Sequence, residues 1–320
     1  MTENILVTGG SGFIGSHLHN YLNHAQIVNL DLETPDFICH SRYIKGDIRD
    51  VDTVAEAVKG CKMIWSMAAA HKDFGVSHNE YFDINEKGMQ VLTQAASQEG
   101  IKKFIFISSV AVYGNALEPP TETSIPNPIN DYGASKLAAE RVLEAWAAED
   151  LTRQVLIIRP AVVYGERNFA NVYHLMAHIN RGRFFNVGKG LNIKSIVYVK
   201  NLLESILFLM ERMTAGVNVY NYVDEPQLTS RQIGETIAAA LNKSKPFTLP
   251  YSLVYLLALP FDLLIKIIGK DFPISTKRVK KFITPTHFKA NKIREIGFKP
   301  QFTNIDGLKN MAEWFKTHKS

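Results

Sequence analysis

With 320 residues the chain can bury a large core, as one large domain or two interlocked ones. Its 46% hydrophobic and 21% charged residues are ordinary for a soluble globular protein. The net charge of +5 is spread along the chain with no nucleic-acid motif, which argues against a nucleic-acid partner; an anionic substrate, an anionic membrane surface or plain surface solvation each account for it.

The N-terminus enters a strand directly, and no signal peptide is expected. An apolar run ends in a glycine-rich turn, Ile5-Leu6-Val7-Thr8-Gly9-Gly10-Ser11-Gly12-Phe13-Ile14-Gly15, and a helical pattern follows over 16–23. Strand, tight turn and helix start in that order suit a dinucleotide. Gly9, Gly12 and Gly15 let the backbone approach a pyrophosphate, and the N–H groups of the helix start hold the anion. A second strand over 26–31 ends in Asp31, which lies 22 residues after Gly9, about where an acid meets the adenosine ribose hydroxyls. An acid there repels a 2′-phosphate and favours NAD over NADP; a solvent-facing strand-end acid is the plainer alternative.

Gly46-Asp47-Ile48 precedes a helix over 51–59. Asp47 suits an adenine amino group, although a helix-capping acid would look the same. The strand over 62–67 closes in Ala68, Ala69 and Ala70, small enough for a backbone to lie against the cofactor. A helix is expected over 85–99, then buried strands over 102–108 and 154–159. Alternating strands and helices from residue 3 to about 160 predict a doubly wound, Rossmann-type parallel sheet of the α/β class. A late strand over 217–223 rejoins it. The expected cofactor domain is 1–165 with 196–223 returning, and 166–195 with 224–320 form a smaller, partly discontinuous substrate lobe.

Tyr132 and Lys136 are four residues apart, on one face of a helix. A lysine ammonium beside a phenol stabilises phenolate, which makes Tyr132 a base toward a sugar or alcohol hydroxyl and an acid in reverse. Lys136 also suits the nicotinamide ribose. Ser109 ends the strand before this helix, where a hydroxyl points into the ligand crevice; a simple turn residue is the alternative.

In these motifs the sequence resembles the extended short-chain dehydrogenases/reductases, the nucleotide-sugar epimerase/dehydratase group. The resemblance covers essentially the whole chain. It rests on the glycine turn, Asp31, Gly46-Asp47, the serine pair Ser108-Ser109 before Val112-Tyr113-Gly114, and Tyr132-Gly133-Ala134-Ser135-Lys136. It continues through Arg159-Pro160, Tyr164-Gly165, Gly188-Lys189-Gly190 and Tyr198-Val199 to Gly297-Phe298-Lys299-Pro300. It implies Ser109, Tyr132 and Lys136 as the catalytic set and NAD as cofactor. The expected cofactor contacts are Gly9, Gly12, Phe13, Ile14, Gly15, Asp31, Asp47, Ile48, Ala68, Ala69, Tyr132 and Lys136. No metal-ligand spacing occurs.

The chain departs from the family in places. Many of its dehydratases carry Thr-Asp-Glu where this chain has Ser109-Val110-Ala111, so elimination of water lacks its usual acid and base. The galactose-type epimerases carry an Asn after the arginine, where this chain has Ala161-Val162-Val163. The usual Arg-Asp-Phe is Lys194-Ser195-Ile196, and a lysine pairs with a diphosphate only as a point charge. Arg167 and Lys194 are the candidates for a substrate anion, with plain surface charge as the alternative.

A branch of the family acting on 3β-hydroxysteroids and similar lipids resembles this chain at Asn192 and Asn201. The apolar stretch 249–269 leans the same way, with Lys277, Arg278, Lys280 and Lys281 after it. Pro260, Asp262 and Lys266 argue against a membrane span. The stretch suits a helix pair in an anionic membrane interface, the substrate lobe or a subunit contact. A lipid-linked sugar would reconcile the two branches. Cys39 and Cys61 are expected as buried thiols. The chain is expected to be cytoplasmic, with a peripheral place on the inner face of a membrane as the alternative, and dimeric through helices near 85–99 and 132–147.

The reading is an NAD-dependent enzyme on a nucleotide-activated sugar, an epimerase passing a hydride out and back through a keto intermediate. The alternatives are a net dehydrogenase or reductase, a lipid-type dehydrogenase at a membrane surface, and a non-catalytic NAD sensor.

Overall fold

The computed structural model describes residues 4–22, 26–71, 75–116, 118–268 and 275–318. The chain divides into two compact units. The first comprises Met1–Ala161, Val199–Val223 and Phe288–Pro300; the second comprises Val162–Tyr198, Asp224–His287 and Gln301–Ser320.

Six strands of the first unit arise in chain order: β1 (Asn4–Thr8), β2 (Ile27–Asp31), β3 (Arg42–Lys45), β4 (Cys61–Ser66), β5 (Lys103–Ile107) and β6 (Gln154–Pro160). With Gly216–Tyr222 they form a seven-stranded sheet in the order Gly216–Tyr222, β6, β5, β4, β1, β2, β3. All neighbours are parallel, and Ile5 sits opposite both Ile27 and Met63. Parallel strands covered on both faces must be apolar throughout, which is why β1 and β5 read as unbroken hydrophobic runs.

Side chains alternate across the sheet. Leu6, Ile64, Phe104, Phe106 and Ile157 point to one face. There they meet α2 (Val51–Ala57), α4 (Gly88–Glu99) and α5 (Asp131–Ala148) through Val54, Leu92, Leu143 and Trp146. Helix α1 (Phe13–Leu18) packs against the helix Val199–Met210, which also lies on β6. Strand order reverses between β1 and β4, and such sheets bind ligands beyond the strand ends at that reversal.

Several elements differ from the sequence pattern. Helix α1 begins at Phe13 instead of residue 16, because Gly15 already packs inside it; after Leu18 the chain tightens into bonds from Asn20 N to His17 O and Tyr21 N to Leu18 O. The helix expected over 85–99 starts earlier, as α3 (His78–Phe82) followed by a π turn, Asp83–Lys87, that leads into α4. The segment Phe288–Pro300, expected in the lobe, belongs to the first unit. Contacts with residues distant in the chain hold it there: Asn221 Nδ2 donates to Lys289 O at 3.0 Å and Lys292 Nζ to Val219 O at 3.0 Å, while Phe298 packs against Tyr222 and Phe208.

The second unit contains short strand pairs, including Val162–Tyr164 alongside Ile196–Tyr198, and several helices. The helix Asn304–Thr317 closes on that pair at Gly307, where a Cβ would lie 2.5 Å from Tyr164 Oη. The apolar stretch forms one helix, Tyr251–Ile268, with Pro260 inside it; the last position of the expected span, 269, lies outside the described residues. Among the described residues no helix is long and apolar enough to cross a membrane. Cys61 is buried as expected, and burial pushes its thiol up to about 11. Cys39 is only half-buried, because it sits in the irregular stretch between β2 and β3.

Candidate functional site

The turn after β1 is built for close backbone approach. Gly9 has φ 74°, and a Cβ on it would lie 2.6 Å from Ala68 N; a Cβ on Gly15 would lie 2.3 Å from Gly10 O. No side chain caps the N-terminus of α1 at Gly12. Asp31, at the end of β2, accepts from Ser11 N at 2.9 Å and from Glu33 N at 3.1 Å, which ties its carboxylate to the glycine turn. Ala68 and Ala69 follow β4, and Ala68 N donates to Thr8 O at 2.9 Å. The turn, Asp31 and the small residues after β4 thus converge at the sheet's reversal, and they fit a dinucleotide with its pyrophosphate over the start of α1.

Asp47 does not cap the following helix. Its carboxylate takes Arg49 in a two-pronged pair, with Nη2 at 2.6 Å and Nε at 3.0 Å, and this pair holds it below the usual carboxylate range. The cap of α2 is Asp50, which accepts from Thr53 N at 2.8 Å. Ile48 is buried against Gly88 of α4, where a Cβ would lie 2.5 Å from its Cδ1.

Ser109 lies just beyond β5 and caps a single 3-10 turn, Val110–Tyr113; its Oγ accepts from Ala111 N at 3.1 Å. This takes one lone pair and leaves the O–H for donation. Tyr132 lies in the first turn of α5, which Asn130 caps through Gly133 N at 2.8 Å. Gly133 brings these two turns together, because a Cβ on it would lie 2.5 Å from Ala111 O. Gly133→Ala is therefore expected to push the Tyr132 turn off the Ser109 turn and cost about 1–3 kcal/mol of stability. Denaturant unfolding of the variant checks this; an unchanged midpoint would refute the packing argument.

Lys136, one turn after Tyr132, is fully buried, with Nζ 4.4 Å from the centre of the Phe106 ring. Burial pushes its ammonium down to about 7, against an opposing pull from Glu140.

Behind these residues lies a polar network that sequence reasoning missed. Glu140 accepts from Ser108 Oγ and from Arg159 Nε at 2.9 Å and Nη2 at 2.5 Å. Arg159 Nη1 donates to Tyr113 Oη at 2.8 Å, and Tyr113 in turn donates to Asn221 Oδ1 at 2.8 Å. Asn85, in the π turn, was also missed. Its Nδ2 donates to Ala70 O at 3.1 Å and Ser135 Oγ at 2.8 Å, which links the segment after β4 to α5. The signal available beforehand was a charged or amide residue inside an otherwise apolar helical face.

The two candidates for a substrate anion lie in the second unit. Lys194 Nζ donates to Thr284 O at 2.7 Å, and Arg167 has φ 68°, a left-handed backbone that costs a non-glycine residue strain. Asn192, singled out by its resemblance to the lipid branch, ties the second unit internally: Nδ2 donates to Phe282 O at 3.0 Å, and Oδ1 accepts from Ser230 Oγ at 2.8 Å.

A seven-stranded parallel sheet with a glycine turn at its reversal defines a dinucleotide-binding fold of the doubly wound class. Residues 5–222 match the model of the NAD dependent epimerase/dehydratase family. The chain is 39% identical, over 99% of its length and 97% of the relative's, to N-acetyl-alpha-D-glucosaminyl-diphospho-ditrans,octacis-undecaprenol 4-epimerase of Escherichia coli O157:H7. It is 28% identical, over 98% of its length and 96% of the relative's, to UDP-glucose 4-epimerase of Vibrio cholerae. The fold is similar to that of a UDP-glucose 4-epimerase from Thermotoga maritima solved with UDP-glucose, with a TM-score of 0.79 at 24% identity, covering 98% of this chain and 99% of that one. The chain belongs to the NAD-dependent epimerase/dehydratase family, and NAD is its cofactor. An epimerase-type enzyme on an activated sugar, as read from the sequence, is consistent with all of these relatives.

Proposed function

We propose that the chain is a 4-epimerase of a sugar whose anomeric carbon carries a diphosphate, with a polyprenol as the carrier. The observation that supports it most is the 39% identity, over nearly the whole of both chains, to an epimerase named for an undecaprenol-linked substrate. The nucleotide-activated sugar is the second reading, supported by the UDP-glucose 4-epimerase relative at 28%. Dehydration is disfavoured, since Val110 and Ala111 stand where an acid pair would be needed.

In the reaction, Tyr132 removes the proton of the sugar hydroxyl while its carbon is oxidised to a ketone, and returns it when the ketone is reduced on its other face. Ser109 donates a hydrogen bond to that oxygen. Lys136, when protonated, favours the Tyr132 phenolate by opposite charge. NAD, when bound, would supply the acceptor and donor for the hydride. Gly9, Gly12, Phe13, Ile14 and Gly15 would hold it along the turn, with Asp31 for the adenosine ribose, Ile48 and Asp47 for the adenine, and Ala68 and Ala69 as small lining residues. Arg167 and Lys194 remain the candidates for the substrate diphosphate.

The lipid carrier agrees with the surface of the second unit. The helix Tyr251–Ile268 exposes Leu253, Leu256, Leu257, Leu259 and Leu264, by 39–63%. Lys277 and Lys280 are exposed on the next helix, Thr276–Ile283. Leucines beside lysines suit the interface of an anionic membrane, where each lysine adds about 1 kcal/mol of attraction. The protein then works from the cytoplasmic side, as a peripheral protein, and as a homodimer pairing α4 and α5. The test offers purified protein N-acetylglucosamine on a polyprenyl diphosphate and on UDP, with and without anionic vesicles. Expected is conversion of the lipid-linked sugar to its 4-epimer without net NADH, together with co-sedimentation with the vesicles at low salt. Conversion of the UDP-sugar alone would select the nucleotide reading; accumulating NADH would make it a dehydrogenase.

A further inference from the structure

Three charged side chains are buried together behind the proposed catalytic turn: Lys136 at 2% exposure, Glu140 at 0% and Arg159 at 5%. Lys136 and Glu140 are one turn apart on α5, and Arg159 comes from β6. Both Glu140 oxygens are fixed, Oε1 by Ser108 Oγ and Arg159 Nε, and Oε2 by Arg159 Nη2. The position of Arg159 is fixed in turn by Tyr113, which bonds to Asn221. Such a pair is a poor device for stability, because desolvating two ions offsets most of their attraction and an apolar pair of equal volume does as well. Its location suggests another use. Ser108 adjoins Ser109, and Glu140 stands one turn from Lys136.

We propose that Glu140 is the positioning residue of the site: its fixed carboxylate keeps the Lys136 ammonium charged beside Tyr132. This rests on the roles given above to Tyr132 and Lys136. Other charged groups stand on elements packed against α5: Asp83, Glu86 and Lys87 of the π turn, His78 and Glu80 of α3, and Arg159 of β6. Glu140 is the one whose charge opposes the loss of the Lys136 proton on burial. With Glu140 neutral, Lys136 would lose its proton below neutral pH, and the Tyr132 phenol would return toward its ordinary range.

Three variants test this: Glu140→Gln, Glu140→Asp, and the double variant Glu140→Gln with Arg159→Met, which leaves no unpaired arginine in the core. Two readouts are taken on protein shown to be folded by circular dichroism. One is the acid limb of the pH profile of kcat/KM. The other is the near-ultraviolet phenolate titration of the cofactor-free protein, taken as the difference from Tyr132→Phe. The double variant and Glu140→Gln are expected to move both to higher pH by about one unit, a roughly tenfold loss at neutral pH. Glu140→Asp, which keeps a carboxylate, should bring both most of the way back to the wild-type position. A folded double variant with wild-type profile and titration would overturn the proposal and leave Glu140 a structural partner of Arg159. If Tyr132→Phe keeps its turnover, the reading of the site itself fails; if Tyr132→Phe is inactive and the Glu140 variants show no shift, only this inference fails.

Discussion

Replacing Tyr132 by phenylalanine is expected to lower turnover by roughly 10²–10⁴-fold, the usual range for loss of a general acid–base group. NAD binding should be unchanged. The ring stays in place, since phenylalanine keeps the packing of Tyr132 near Tyr81, whose ring centre lies 6.3 Å away. Only the oxygen that would carry the proton is removed. The measurement pairs steady-state epimerisation with an NAD titration by calorimetry. Turnover within threefold of wild type would remove Tyr132 from the mechanism, whereas parallel loss of turnover and NAD binding would point to a damaged fold.

The second large effect is expected at the glycine turn. In Gly15→Ala the new methyl would lie 2.3 Å from Gly10 O and 2.5 Å from Gly10 Cα, both backbone atoms with no rotamer to change. The turn would have to open or α1 to shift, and either moves the N–H groups that would face the pyrophosphate. Overpacking of this kind costs about 1–3 kcal/mol, which corresponds to a roughly 5- to 150-fold loss of NAD affinity if it falls on the bound state. Calorimetry with NAD measures it, and the thermal shift on adding NAD provides a second reading. Wild-type affinity in a folded Gly15→Ala protein would show that the pyrophosphate lies elsewhere.

Much of the molecule is written in short-range pattern. The apolar runs of β1, β4, β5 and β6, the glycine spacing after β1, and the four-residue interval from Tyr132 to Lys136 each need only a few neighbouring residues to be read. Such features reflect backbone sterics and helix geometry, which act locally, so the parallel sheet and the cofactor turn were legible. The family relation follows from these motifs in order.

Other features depend on residues far apart in the chain. Glu140 and Arg159 meet across a helix and a strand, and Asn85 reaches Ser135 over 50 positions. Asp47 and Asp50 are indistinguishable as caps until the helix start is placed; then Thr53 N lies against Asp50, and Arg49 takes Asp47. The return of Phe288–Pro300 to the sheet's edge and the half-burial of Cys39 have the same origin. A buried polar group must find a partner wherever the packed elements present one, and which elements pack together is decided by the burial of the whole core. Local pattern determined the strands, the turn and the Tyr–Lys pair; the tertiary structure alone decided which buried charges stand behind that pair, because only there do α5, β5 and β6 come within hydrogen-bonding reach.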